Sequence, residues 1–102
     1  MDLKQLTDEM LRFVRSKGWF EANSKRPQTP RNLSISLALE AAEILEHFQW
    51  REEIKDKEEL ASELADVCLY LLELASVTSI DLEEAMLKKL EINKTREWDQ
   101  EI

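Results

Sequence analysis

Hydrophobic residues recur along this chain at helical rather than strand spacing. Leu3, Leu6, Met10, Phe13 and Val14 share one face of a helix from about Leu3 to Ser16. Gly18, the only glycine, is placed to cap its C-terminus. Residues 19–30, "WFEANSKRPQTP", form the one long irregular stretch. Thr29 can then cap a second helix and Pro30 can occupy its first turn. Periodicity carries that helix to about Trp50. A polar connector, "KDKEE", follows, in which Asp56 and Glu59 have capping-box spacing. The third helix covers roughly Lys57 to Val77. Its second half, "LADVCLYLLELA", is apolar nearly all round, a pattern that needs cover on every side. Asp81 and Glu84 repeat the capping-box spacing and open a fourth helix through about Trp98, with Leu87, Leu90 and Ile92 turned toward the core. One glycine and two prolines are too few for the frequent turns of a sandwich or barrel. The expected fold is one all-α domain over residues 1–102, a four-helix bundle-like protomer. Its apolar side chains exceed what one small bundle covers, which predicts a homodimer or homotetramer.

Four acids interrupt this apolar pattern. Glu40 and Glu43 in "LALEAAEILEHFQW" are three residues apart and share a helix face. Glu63 and Asp66 repeat that spacing on the next helix. The short connector makes the two helices antiparallel neighbours, so the pairs can face each other. Asp66 has Leu64, Ala65, Val67, Cys68 and Leu69 around it. Ionised carboxylates there need a strong compensator or must become neutral. A hard divalent cation, Mg²⁺ or Mn²⁺, answers both the burial and the mutual repulsion. Glu52, Glu53, Glu58, Glu59, Glu83 and Glu84 read as solvated surface acids. A di-iron bundle would need Glu-x-x-His pairs. The single histidine, His47, instead follows Glu43 at four residues and reads as a packing or surface residue.

Net charge narrows the partners. At −8 the chain is a poor match for a nucleic-acid polymer, so any phosphate chemistry calls for a metal. No apolar run reaches the length of a membrane span, and the first residues lack a secretory pattern. The only cysteine, Cys68, reads as a small core residue, and a cytoplasmic setting is expected.

Other residues suit a ligand. Tyr70 continues the stripe of Glu63 and Asp66. Lys89, Asn93 and Arg96 lie on one face of the fourth helix, offering two cations and an amide. Trp19 and Trp50 are placed to stack on a base. Lys25, Arg26 and Arg31 concentrate positive charge at the 19–30 loop, and a loop of that length is more often functional than idle.

Through "PRNLSISLALEAAEILEHFQW", "ELADVCLYLLELA" and "KLEINKTR" the chain resembles the MazG-like, all-α nucleoside triphosphate pyrophosphohydrolases, especially their dCTP pyrophosphatase branch. The resemblance implies that Glu40, Glu43, Glu63 and Asp66 bind Mg²⁺ and serve catalysis. It also implies that Trp19, Trp50, Tyr70, Lys89, Asn93 and Arg96 bind substrate, and Arg31, from the charge it adds at the loop, is expected to join them. The expected reaction splits a nucleoside triphosphate, such as a pyrimidine deoxynucleotide, into monophosphate and pyrophosphate, a nucleotide-pool housecleaning activity. The alternatives are a related enzyme acting on dUTP, phosphoribosyl-ATP or a damaged nucleotide, and a non-catalytic helical interaction module.

Overall fold

Each helix begins at a residue whose side chain replaces a missing backbone hydrogen bond. The structure, a computed structural model, describes residues 1–97. Asp2 accepts from the Gln5 amide at 2.8 Å and Gln5 accepts in return from the Asp2 amide at 2.9 Å, a full capping box. Thr29 Oγ1 accepts from the Asn32 amide at 3.1 Å. Asp56 and Asp81 each accept from the amide three residues on, at 3.0 Å. These caps open α1 (Leu3–Ser16), α2 (Pro30–Glu46), α3 (Lys57–Val77) and α4 (Leu82–Thr95), an all-α fold.

Two helices close alike. After α1, Gly18 takes φ 71°, its amide donates to Arg15 O and the Trp19 amide to Val14 O. After α3, Ser79 takes φ 58°, its amide donates to Ser76 O and the Ile80 amide to Ala75 O. Both are Schellman turns, which favour glycine at the left-handed position. The first returns Trp19 to the Val14 end of α1. Serine at the second carries a Cβ penalty.

Two helix ends differ from the sequence pattern. Helix α2 stops at Glu46, not near Trp50, and residues 47–50 are turn. There the His47 and Phe48 amides donate three residues back, to Ile44 O and Leu45 O, so the chain tightens out of α-helix. Helix α4 stops at Thr95, with Arg96 extended. Trp98, the expected end, lies outside the described residues.

Helix α3 is the axis of the molecule. Its extensive interfaces are with α2 and α1. Met10, Val14 and Leu72 form the buried cluster, with Leu3, Leu11, Trp19 and Leu82 packed partly against it. Leu33 and Ala75 are also buried. By contrast α4 contributes no buried residue. Leu87 at 59%, Leu90 at 53% and Ile92 at 45% exposure are outside the core of the single chain, contrary to the sequence expectation. Cys68 is exposed too. Periodicity marks the apolar face of a helix but not what covers it. The Cα radius of gyration is 16.7 Å, against about 13 Å for a compact chain of this length. Among the described residues no helix is long and apolar enough to cross a membrane.

Ser79→Gly should relieve the left-handed strain and stabilise the fold by about 0.5–1 kcal/mol. Gly18→Ala should destabilise it by a similar amount. Chemical denaturation of the two variants checks the pair of opposite signs.

Candidate active site

The seam between α2 and α3 collects like charge. Glu40, Glu63 and Asp66 are half-buried there, while Glu43 is exposed rather than buried, because one chain leaves that edge of the seam open. Glu40 holds its proton more tightly than an ordinary carboxyl. Desolvation is the main cause, followed by the charges of Glu43 and Asp66, a side-chain hydrogen bond to Glu43, and the charge of Glu63. Glu40 Oε2 is buried with no hydrogen-bond partner. Among the described residues no lysine or arginine forms an ion pair with any of these four acids. A set of oxygen donors with mutual repulsion and an orphaned oxygen fits a hard divalent cation.

Glu63 also faces the other way. His47 Nε2 lies 2.6 Å from Glu63 Oε2, with the two side chains only 11% and 14% exposed. Glu59 joins them, and donor atoms of all three lie within 4.8 Å of one another. They border an open cleft of about 230 Å³ with Glu43, Arg51 and Lys55. The sequence pattern assigned His47 to packing or surface and Glu59 to solvent. The overlooked signal is the i, i+4 spacing of Glu59 and Glu63, one turn apart on the face that meets the end of α2.

An aromatic cleft adjoins the acids. Phe13 and Trp19 meet at right angles, 5.6 Å between ring centres, and the Arg26 guanidinium lies 6.0 Å from the centre of the Trp19 ring. Phe13, Trp19, Asp66, Leu69, Tyr70 and Glu73 line a cleft of about 180 Å³. A second cleft of about 270 Å³ shares Trp19, Tyr70 and Glu73 and continues to Lys25, Arg26 and Asn32. The loop on that side is held by its own bonds: Asn32 Nδ2 donates to Pro27 O at 2.9 Å and Gln28 Nε2 to Arg26 O at 2.6 Å. Glu73 was hidden in the sequence by its apolar neighbours. It is 4% exposed, Oε2 has no hydrogen-bond partner, and desolvation raises its proton affinity.

The remaining candidates are spread more widely. Trp19 and Tyr70 are half-buried, whereas Trp50 is 86% exposed and Arg31, Lys89 and Arg96 are exposed. Asn93 is half-buried on α4, which has no extensive interface with α2 or α3. Arg31, Trp50, Lys89, Asn93 and Arg96 line none of these three clefts. One chain therefore joins Asp66, Trp19 and Tyr70 in one cleft and leaves the cations of α4 apart.

The MazG-like family model matches residues 35–101, which include all four seam acids together with Trp50, Tyr70, Lys89, Asn93 and Arg96. The chain belongs to the MazG-like family. Its curated relatives include dCTP pyrophosphatase 1 of Mus musculus, 31% identical over 93% of this chain, and that of Homo sapiens, 32% identical over the same share. The chain spans about half the length of these relatives, 56% in both cases. Among solved structures, a pyrophosphatase from Archaeoglobus fulgidus is 36% identical, with a TM-score of 0.76 over 89% of this chain and 87% of that one.

The two raised acids set a pH dependence. A carboxyl that holds its proton more tightly when folded stabilises the fold fully below its ordinary value of 4.5 and loses that effect as pH rises through the folded value. Without divalent metal, the contribution of these two carboxyls to the melting temperature should therefore be larger at about pH 4.5 than at about pH 7.5. Glu73→Gln should flatten the difference in melts run with chelator.

Proposed function

We propose that this chain is a Mg²⁺-dependent nucleoside triphosphate pyrophosphohydrolase, with Mn²⁺ able to substitute. The bond broken lies between the α and β phosphorus, giving a monophosphate and pyrophosphate. The observation that carries the reading is the acid group of the α2–α3 seam, Glu40, Glu43, Glu63 and Asp66, which no lysine or arginine among the described residues pairs and which lies beside the aromatic cleft. The pyrophosphatase names of the relatives support the same reaction. The dCTP of two of those names points to a pyrimidine deoxynucleotide.

The seam acids would hold the ion. What such an ion supplies is Lewis acidity: charge neutralisation on the phosphates and acidification of water. The chain's own residues do the rest. Lys89 and Arg96 bind phosphate oxygens and steady the charge on departing pyrophosphate. Arg31 adds charge at the mouth of the loop. Trp19, Trp50 and Tyr70 offer ring faces to a base, and Asn93 an amide to base or sugar. His47 presses against the outer oxygen of Glu63 and so fixes how that carboxylate faces the seam.

Assembly belongs to the same reading. Leu69 and Leu71 on α3 and Leu87 and Leu90 on α4 are exposed in one chain. A homodimer or homotetramer would cover them and bring the cations of α4 to the acids.

Mg²⁺ or Mn²⁺ should raise the melting temperature, and Glu43→Gln or Asp66→Asn should abolish both that response and triphosphate hydrolysis. Unchanged turnover in Asp66→Asn would overturn the metal assignment. Trp50→Ala should weaken nucleotide binding by roughly 1–3 kcal/mol, the worth of one stacked base, to an extent that varies with the base. Light scattering should give at least a dimer at micromolar concentration.

A further inference from the structure

Glu73 has no place in the metal chemistry above. It stands seven residues beyond Asp66 on α3, two turns and about 10 Å along the axis. Both residues line the same aromatic cleft. Its side chain is almost wholly buried, yet one carboxyl oxygen lacks any hydrogen-bond partner. Buried polar groups without partners are uncommon because each forgoes its hydration. An orphaned acid lining two clefts that meet at Trp19 and Tyr70 is a group waiting for a ligand.

We propose that Glu73 reads the hydrogen-bonding edge of a pyrimidine base held between Trp19 and Tyr70, with the phosphates toward Asp66. This rests on the nucleotide reading of the seam and adds a specificity residue to it. The distance fits, since an α-phosphate and the far edge of its base lie on a comparable scale across the sugar. The chemistry fits as well. In its neutral form, which burial favours, a carboxylic acid presents one donor and one acceptor side by side. Cytosine presents the complement, a ring nitrogen that accepts next to an amino group that donates. Ring faces hold any base by stacking, with little regard for its identity. Glu73 makes the cleft sensitive to the edge. A glutamine would offer the same donor and acceptor permanently, and a methionine of similar length neither.

The test compares α,β-imido-dCTP with the α,β-imido triphosphate of 2-pyrimidinone deoxyribonucleoside, which lacks the amino group, by calorimetry with Mg²⁺. These analogues are not hydrolysed at the α–β bond, so binding is read apart from turnover. The wild type should bind the cytosine analogue about tenfold more tightly, the worth of one such bond with its partner left unpaired. Glu73→Met should bring that ratio to about one, and Glu73→Gln should keep most of it. The melting temperature of Glu73→Met should not fall, because an unpartnered polar group has been removed. A wild-type ratio near one, or a full ratio in Glu73→Met, would overturn the proposal. Failure of the wild type to hydrolyse dCTP, with the ratio intact, would instead overturn the reaction and leave the base contact standing.

Discussion

Like charge crowded along the α2–α3 seam is the constraint around which this molecule is arranged. Helices that pack elsewhere through apolar side chains carry carboxylates where they meet, and desolvation and mutual repulsion both act on Glu40. Such a seam opposes folding when empty of cations. What offsets it is local and modest: four side-chain caps, two Schellman turns, and a core of few fully buried residues around Val14 and Leu72. Stability forgone at a site and supplied at a distance is the usual signature of function. The electrostatics of the seam and the sparseness of the single-chain core act in the same direction, since both leave the single chain with little stability to spare.

What could be read in advance followed the range of the interaction responsible. Helix starts at Pro30, Lys57 and Leu82 were legible because Thr29, Asp56 and Asp81 act on amides three residues away. The end of α2 was not. "HFQW" continues an apolar helical rhythm, and nothing local stops it. The stop coincides with the approach of His47 to Glu63, sixteen positions later in the chain. The acid pairs were legible as a spacing, but their surroundings were not. Glu43 and Cys68 proved exposed, and Leu87 and Leu90 uncovered, because burial depends on surfaces that one helix's periodicity does not describe.

The same amino acid meets three environments within a few turns. Glu43 is solvated, Glu63 lies against His47, and Glu73 is buried beside the aromatic cleft. Composition counts them alike. Only environment separates an acid open to solvent, an acid held by a histidine, and an acid whose burial raises its hold on the proton.

Helix α3 arranges these roles in order. Glu63, Asp66, Tyr70 and Glu73 follow one another at intervals of three, four and three residues, the rhythm of the a and d positions of a coiled-coil seam. In a structural bundle those positions would be Leu or Ile, and the stripe would be spent on packing. Here polar groups replace them while the apolar side chains move to the flanks, where Leu69 and Leu71 remain open in one chain. A helix that surrenders its best packing stripe must bury another face. That is why an apolar α3 and an acidic seam occur together: the stripe that would have joined helices within one chain is polar, and the apolar side chains displaced to its flanks stay exposed in that chain.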